Sequence, residues 1–238
     1  MGFHPTWGDY GDDSSGEGGV AAFHRFRSPG NTQLPATRTD LRGGGAHSAA
    51  MLQAPVASGN AIFWYSFSVG SVHVLQLDSE HDMTLGSAQY AFVAADLASL
   101  DRSLTPWVVV TFHRPMMSPE AQTFDVAEGI RAALEPLFVS GGVDLVLAGH
   151  VHAYERCCSM VNLTCTPRSN GGITYVTVGS AGATVHNETM VPQASAWLEA
   201  WRVEWGFGVV TAANATHLRW DFHSNALGTV VDSVWIVK

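Results

Sequence analysis

At 238 residues, with 46% hydrophobic residues and a formal charge of −9, the chain has enough apolar content to bury a core. Its 12 Lys and Arg form no basic cluster, which argues against nucleic acid or an anionic membrane as partner. No run of 18 or more apolar residues exists to span a bilayer, and Met1 to Asp13 lacks the apolar stretch of a signal peptide.

In chain order, residues 1–60 are loop-rich, with Gly16-Glu17-Gly18-Gly19 and Gly43-Gly44-Gly45 as turn signals. Regular structure is expected over 61–238. Strands are predicted at 62–67 and 72–77, joined at Gly70-Ser71 as a hairpin. A helix is predicted over 86–103, with Tyr90, Val93, Leu97, Leu100 and Leu104 on its apolar face and Gln89, Asp96 and Ser99 opposite. A buried strand at 107–112 precedes a second helix over 119–138, in which Pro136 is expected to end or bend the helix. Another buried strand follows at 143–148, and this alternation is that of βαβ units. Strands at 173–178, 208–212, 216–222 and 230–237 complete an all-β C-terminal part, with a turn at 225–228. The fold class expected is α/β, a layered sandwich with helices outside two sheets.

Two buried strands end in histidine: Phe112 is followed by His113, and Ala148-Gly149 by His150-Val151-His152. Ligand sites in open α/β sheets form beyond the carboxyl ends of strands. Neighbouring strands lie about 4.8 Å apart, so His113 and His150 can reach one ion, while His152 can turn toward a second. Neutral imidazole suits Zn, Fe and Mn. The acidic group Asp78, Glu80 and Asp82 follows the second strand but sits in no recognisable metal motif. Gly8-Asp9-Tyr10 has no strand before it and reads as turn chemistry.

Of the three cysteines, Cys158 and Cys165 can close a small disulfide loop, leaving Cys157 odd. Sequons at Asn162, Asn187 and Asn214, with only 14% charged residues, suggest a glycosylated, secreted or lumenal chain. A secretory interior without a secretory start leads to the expectation of further chain upstream of Met1.

Gly149-His150-Val151-His152-Ala153-Tyr154-Glu155-Arg156 resembles the last signature of the calcineurin-like metallophosphoesterases, in the form carried by purple acid phosphatases. Val110-Thr111-Phe112-His113-Arg114-Pro115-Met116 resembles their fourth, and the similarity runs from about Asp12 to Lys238. The resemblance implies a layered α/β/β/α metallophosphoesterase sandwich, N-terminally truncated. It further implies hydrolysis of phosphomonoesters at a centre of Fe(III) plus a divalent Zn, Fe or Mn, and a chain that can form homodimers. By position, His113 and His150 would bind the divalent ion and His152 the ferric ion. The family's two aspartates, tyrosine and asparagine ligands have no counterpart in this sequence, so a catalytically inactive relative serving as a metal-binding or secreted binding module is the alternative expectation.

Overall fold

The computed structural model describes residues 63–187 and 189–238. The expected loop region at 1–60, including Gly8-Asp9-Tyr10, lies outside them.

The first hairpin forms as the alternation requires. Strand β1 (Tyr65–Val69) pairs antiparallel with β2 (Val72–Gln76), and the turn passes through Gly70 at φ 56°, a region glycine enters without strain. Helix α1 (Ala88–Ser99) starts at Ser87, whose side chain accepts a hydrogen bond from the Tyr90 amide. It is shorter than its apolar pattern suggests: Leu100 is already extended, and Leu104 is exposed. Gln89, expected on the polar face, is fully buried, because its amide group bonds the backbone N–H and carbonyl of Asp78. A polar side chain satisfied inside the protein looks in sequence like one facing water.

Strand β3 (Trp107–Phe112) leads to α2 (Ala121–Ser140). Val126, Ile130, Leu134 and Phe138, four residues apart, make the buried stripe of α2. Pro136 does not end this helix; it lies one turn from the end, where it removes a single amide donor. Strand β4 (Leu145–Ala148) follows. Next come β5 (Tyr154–Cys157), the short pair β6 (Met160–Val161) and β7 (Thr164–Cys165), β8 (Thr174–Val178) and β9 (Leu198–Arg202). The chain closes with β10 (Gly206–Ala212), β11 (His217–Ser224) and β12 (Thr229–Val237).

Among the described residues, seven strands form one mixed sheet in the order β1-β2-β3-β4-β8-β5-β9, with β2, β3, β4 and β8 parallel. The remaining long strands form an antiparallel sheet, β10-β11-β12. The alternation within β3 defines the layers. Val108, Val110 and Phe112 join the core beneath the helices, while Trp107 and Val109 join Leu218, Trp220, Phe222 and Ile236 between the two sheets. The described residues thus build helices, large sheet and small sheet, three successive layers of the expected sandwich. Between the sheets the rings of Tyr154 and Phe222 stack at 3.9 Å. A methyl group at Gly208 would lie 1.8 Å from the Trp220 ring, so only glycine allows that indole to cross β10.

Two polar ties lock this frame. Tyr154 donates to Asp232 at 2.5 Å, Arg156 donates to the same carboxylate at 2.7 Å, and the Trp220 indole donates to the Tyr154 oxygen at 3.0 Å. Burial alone would raise the Asp232 pKa, but the hydrogen bonds from Arg156 and Tyr154 outweigh it and hold the carboxyl low. At the opposite end of the strands, Asp144 is fully buried and faces Arg102, Arg168 and Lys238 at 3.2, 2.7 and 3.1 Å. It also accepts from the Val108 amide, which fixes β3 against β4. Cys158 and Cys165 are bonded, with Cα atoms 5.7 Å apart, and Cys157 is free and buried. No helix among the described residues is long and apolar enough to cross a membrane.

Candidate metal site

The parallel strands β2, β3, β4 and β8 all end at one edge of the large sheet, and each is followed by residues with chemistry to offer. The β3–β4 register pairs Phe112 with Ala148, and Gly149 donates its amide to the His113 carbonyl at 2.9 Å. This sets His113 and His150 side by side: His150 Nδ1 lies 3.2 Å from His113 Nε2, with ring centroids 5.0 Å apart. The backbone at Gly149 runs so close beneath the pair that an added Cβ would meet the His113 ring at 3.6 Å, in van der Waals contact.

His150 adopts φ 67°, a left-handed conformation that a residue with a Cβ enters at a cost of about 1–2 kcal/mol. Such strain concentrates at functional positions, where the surrounding structure enforces it. Here the enforcement is visible at the next turn. A Cβ at Gly179, just past β8, would fall 1.9 Å from the Val151 carbonyl, so the β8 loop is pressed directly against the histidine motif.

The donor chemistry fits a metal at the first two histidines. Two nitrogens each about 2.05 Å from a tetrahedral ion lie roughly 3.3 Å apart, close to the spacing seen here. Desolvation lowers the pKa of both His113 and His150, which favours the neutral imidazole a metal requires. At His150 the charge of Arg114 acts in the same direction. His152 lies apart from this pair. Its Nδ1 is 3.1 Å from the Thr184 carbonyl, an arrangement that leaves Nε2 as the lone-pair nitrogen, and its ring is 5.2 Å from His186. Among the described residues, no three His, Cys, Asp or Glu side chains converge as a metal cluster.

The acidic loop after β2 also adjoins the histidines. Glu80 and Asp78 both act on the His113 charge, and Glu80 pairs with Arg114 at 2.6 Å. Asp78 is engaged with His81 at 2.8 Å, and Asp82 accepts from Thr84. Beside the pair opens a cavity of about 270 Å³, lined by Arg114, Glu120, Gln122, Thr123, His150 and His186 among others. His186 carries no sequence signal beyond the adjoining sequon, and Arg114 stands out only as part of the His113 motif. Behind the cavity, burial pushes the Glu155 carboxyl well above the usual carboxylate range, with the charge of Glu120 adding to the effect.

A family profile described as "Iron/zinc purple acid phosphatase-like protein C" matches residues 172–233. "Probable inactive purple acid phosphatase 9" of Arabidopsis thaliana is 38% identical over 182 residues, covering 75% of this chain and 26% of that protein. "Purple acid phosphatase 1" of Ipomoea batatas is 34% identical over 189 residues, covering 74% of this chain and 39% of that one. The solved structure of purple acid phosphatase PPD1 from yellow lupin (Lupinus luteus) superimposes with a TM-score of 0.67 at 28% identity, covering 89% of this chain and 38% of that chain. The chain belongs to the purple acid phosphatase family. Another plant member, "Fe(3+)-Zn(2+) purple acid phosphatase 12" of Arabidopsis thaliana, is 32% identical over 189 residues, covering 74% of this chain and 40% of its own length. The chain therefore spans less than half the length of these purple acid phosphatases, and the sandwich described above is the corresponding part of the family's metallophosphoesterase fold.

Proposed function

We propose that this chain contributes the C-terminal histidine ligands of an acid phosphatase that hydrolyses phosphomonoesters at a binuclear metal centre. The single observation that carries the reading is the His113–His150 pair, 3.2 Å between nitrogens, held at the carboxyl edge by a strained backbone, with burial lowering the pKa of both rings. In this reading His113 and His150 hold a divalent Zn, Fe or Mn, and His152, through Nε2, belongs to a neighbouring Fe(III). The name of the Arabidopsis Fe(3+)-Zn(2+) relative supports that pairing of metals. When bound, such ions supply Lewis acidity toward the phosphate oxygens and a water of lowered pKa. Burial of His113 and His150 favours their neutral form, the Thr184 carbonyl orients the His152 ring, and neighbouring residues shape the adjoining cavity. In this reading Asn162, Asn187 and Asn214, all exposed, are N-glycan acceptors, as in a secreted or lumenal protein.

A second reading is a family member without activity that binds metal through the histidine pair alone. It is favoured by the 38% identity to a relative named as probably inactive and by the lack of a three-ligand cluster among the described residues. Metal analysis paired with hydrolysis of an aryl phosphate at acid pH, on the protein as its natural source makes it, separates the two. Two metals per chain with turnover supports the first. One metal, abolished by His113→Ala, without turnover supports the second.

A further inference from the structure

Toward the C-terminal end of α2, away from the turn that lines the histidine cavity, the helix and the β6–β7 hairpin enclose a groove of about 410 Å³, within the range of small-ligand sites, roughly 300–1,000 Å³. Much of its surface is apolar, from Ala132, Pro136 and Val139 on the helix and Val161 on the hairpin. Pro136 has no amide hydrogen, so the Ala132 carbonyl four residues earlier lacks its helical donor and stands open as an acceptor. The charges in the lining are matched: Arg131 lies 3.2 Å from Glu135, and Glu128 holds its other side at 2.6 Å. Apolar surface, an open acceptor and paired charges suit a neutral ligand that carries both apolar faces and hydrogen-bond donors.

Asn162 stands at the rim of this groove and is held in one position. It opens the two-residue turn between β6 and β7, with Asn162 at φ 48° and Leu163 at φ 58°, the left-handed pair of a type I′ hairpin. The Cys158–Cys165 bond closes the same hairpin. The Asn162 backbone amide donates to Glu135 at 3.1 Å, and its side-chain oxygen accepts from Arg131 at 2.9 Å. Fixing that oxygen fixes the plane of the side-chain amide, and so the direction of Nδ2, the atom modified in the sequon Asn162-Leu163-Thr164.

We propose that the groove seats the first N-acetylglucosamine of a glycan on Asn162, so that the sugar bridges α2 and the β6–β7 hairpin. The proposal rests on the reading of Asn162 as an N-glycan acceptor and is independent of the phosphatase reading. Attachment replaces one Nδ2–H with a bond from Nδ2 to C1 of the sugar, and the lipid diphosphate of the oligosaccharide donor leaves with that proton. The apolar face of the pyranose and the acetamido methyl then lie against Pro136 and Val139, and a sugar N–H or O–H donates to the Ala132 carbonyl. Because Arg131 and Glu135 already hold the asparagine, seating the sugar freezes few further torsions.

The test uses the protein as its natural source makes it, with variants produced at full length in the same host. Peptide mapping by mass spectrometry reads occupancy at Asn162, and a bare Asn162 overturns the acceptor reading and the seat together. On the occupied protein, an amidase that hydrolyses the Nδ2 link is followed under native conditions. Ala132→Gln, at an exposed helix position, fills the groove without altering the sequon. It is expected to speed release at Asn162 about tenfold, the factor given by losing one hydrogen bond and a small apolar contact. Equal release rates overturn the seat while the acceptor reading stands. Thr164→Ala gives an independent measurement, since it removes the glycan but keeps the bonds of Asn162 to Arg131 and Glu135. Amide hydrogen exchange over 131–140 and 160–165 should then rise severalfold. Unchanged protection in that variant means that the hairpin needs no sugar or that something else covers the groove, and it overturns the proposal.

Discussion

The strained backbone at His150 permits a prediction in which structure and function separate. Replacing His150 with Gly or with Ala removes the same imidazole and the same contact with His113, so the two losses cancel in the comparison. What differs is the backbone. At φ 67° alanine keeps the left-handed penalty of about 1–2 kcal/mol. Glycine escapes that penalty but loses more chain freedom on folding, a cost of roughly 0.5–1 kcal/mol. The glycine variant should therefore be the more stable by about 0.5–1 kcal/mol. For a chain of this size that is a Tm difference of roughly 1–4 °C, read by thermal and urea denaturation of the two variants side by side. Both should lose metal uptake equally, measured by elemental analysis after dialysis against Zn. If the alanine variant is equally stable or more stable, the backbone at position 150 is not under strain. The argument that the fold holds this histidine in place for a ligand would then fail.

Other substitutions test the frame. Asp144→Ala leaves Arg102, Arg168 and Lys238 without their shared buried carboxylate and should cost about 3–5 kcal/mol in urea denaturation; a loss below about 1 kcal/mol would mean solvent already screens the cluster. Gly208→Ala drives a methyl group into the Trp220 ring and should cost at least about 1–3 kcal/mol, accompanied by a changed tryptophan fluorescence spectrum. Reducing the Cys158–Cys165 bond opens a short loop and should lower stability by about 2.5 kcal/mol, seen as a shifted denaturation midpoint with and without reductant. The pH dependence has a definite sign. Because burial lowers the folded-state pKa of His113 and His150, the unfolded chain binds protons first as pH falls. Their contribution to stability is complete above the ordinary imidazole value of about 6.5 and declines as pH drops through it toward the lowered folded value. His113→Gln should flatten that part of the stability profile, and an unchanged profile would refute the assignment.

The sequence is informative wherever the burial of an element's faces follows its own period. Trp107 to Phe112 announces a buried strand because both of its faces are covered, by helices on one side and by the small sheet on the other. The four-residue spacing in α2 announces its buried stripe in the same way. The spacing of His113 and His150 past two strand ends already allows a shared ion, since a parallel register puts successive strand ends side by side. Strand β5 is not legible, because Tyr154, Glu155 and Arg156 are polar residues in a buried position. The burial of Tyr154 and Arg156 is made tolerable by Asp232, 76 residues beyond Arg156, and no local pattern records a partner at that distance.

The layered α/β plan, the βαβ order and the family are written in the chain itself, because hydrophobic period and short motifs are local properties. Which histidines meet is settled by packing alone. His113 and His150 are drawn together by strand register, while His152, two residues from His150, turns away toward Thr184 and His186. The left-handed backbone at His150 and the pressure of Gly179 on Val151 redirect the chain within a single turn. His186 reaches the same cavity from the loop after β8, and contacts between separate strand ends of this kind leave no period in the sequence.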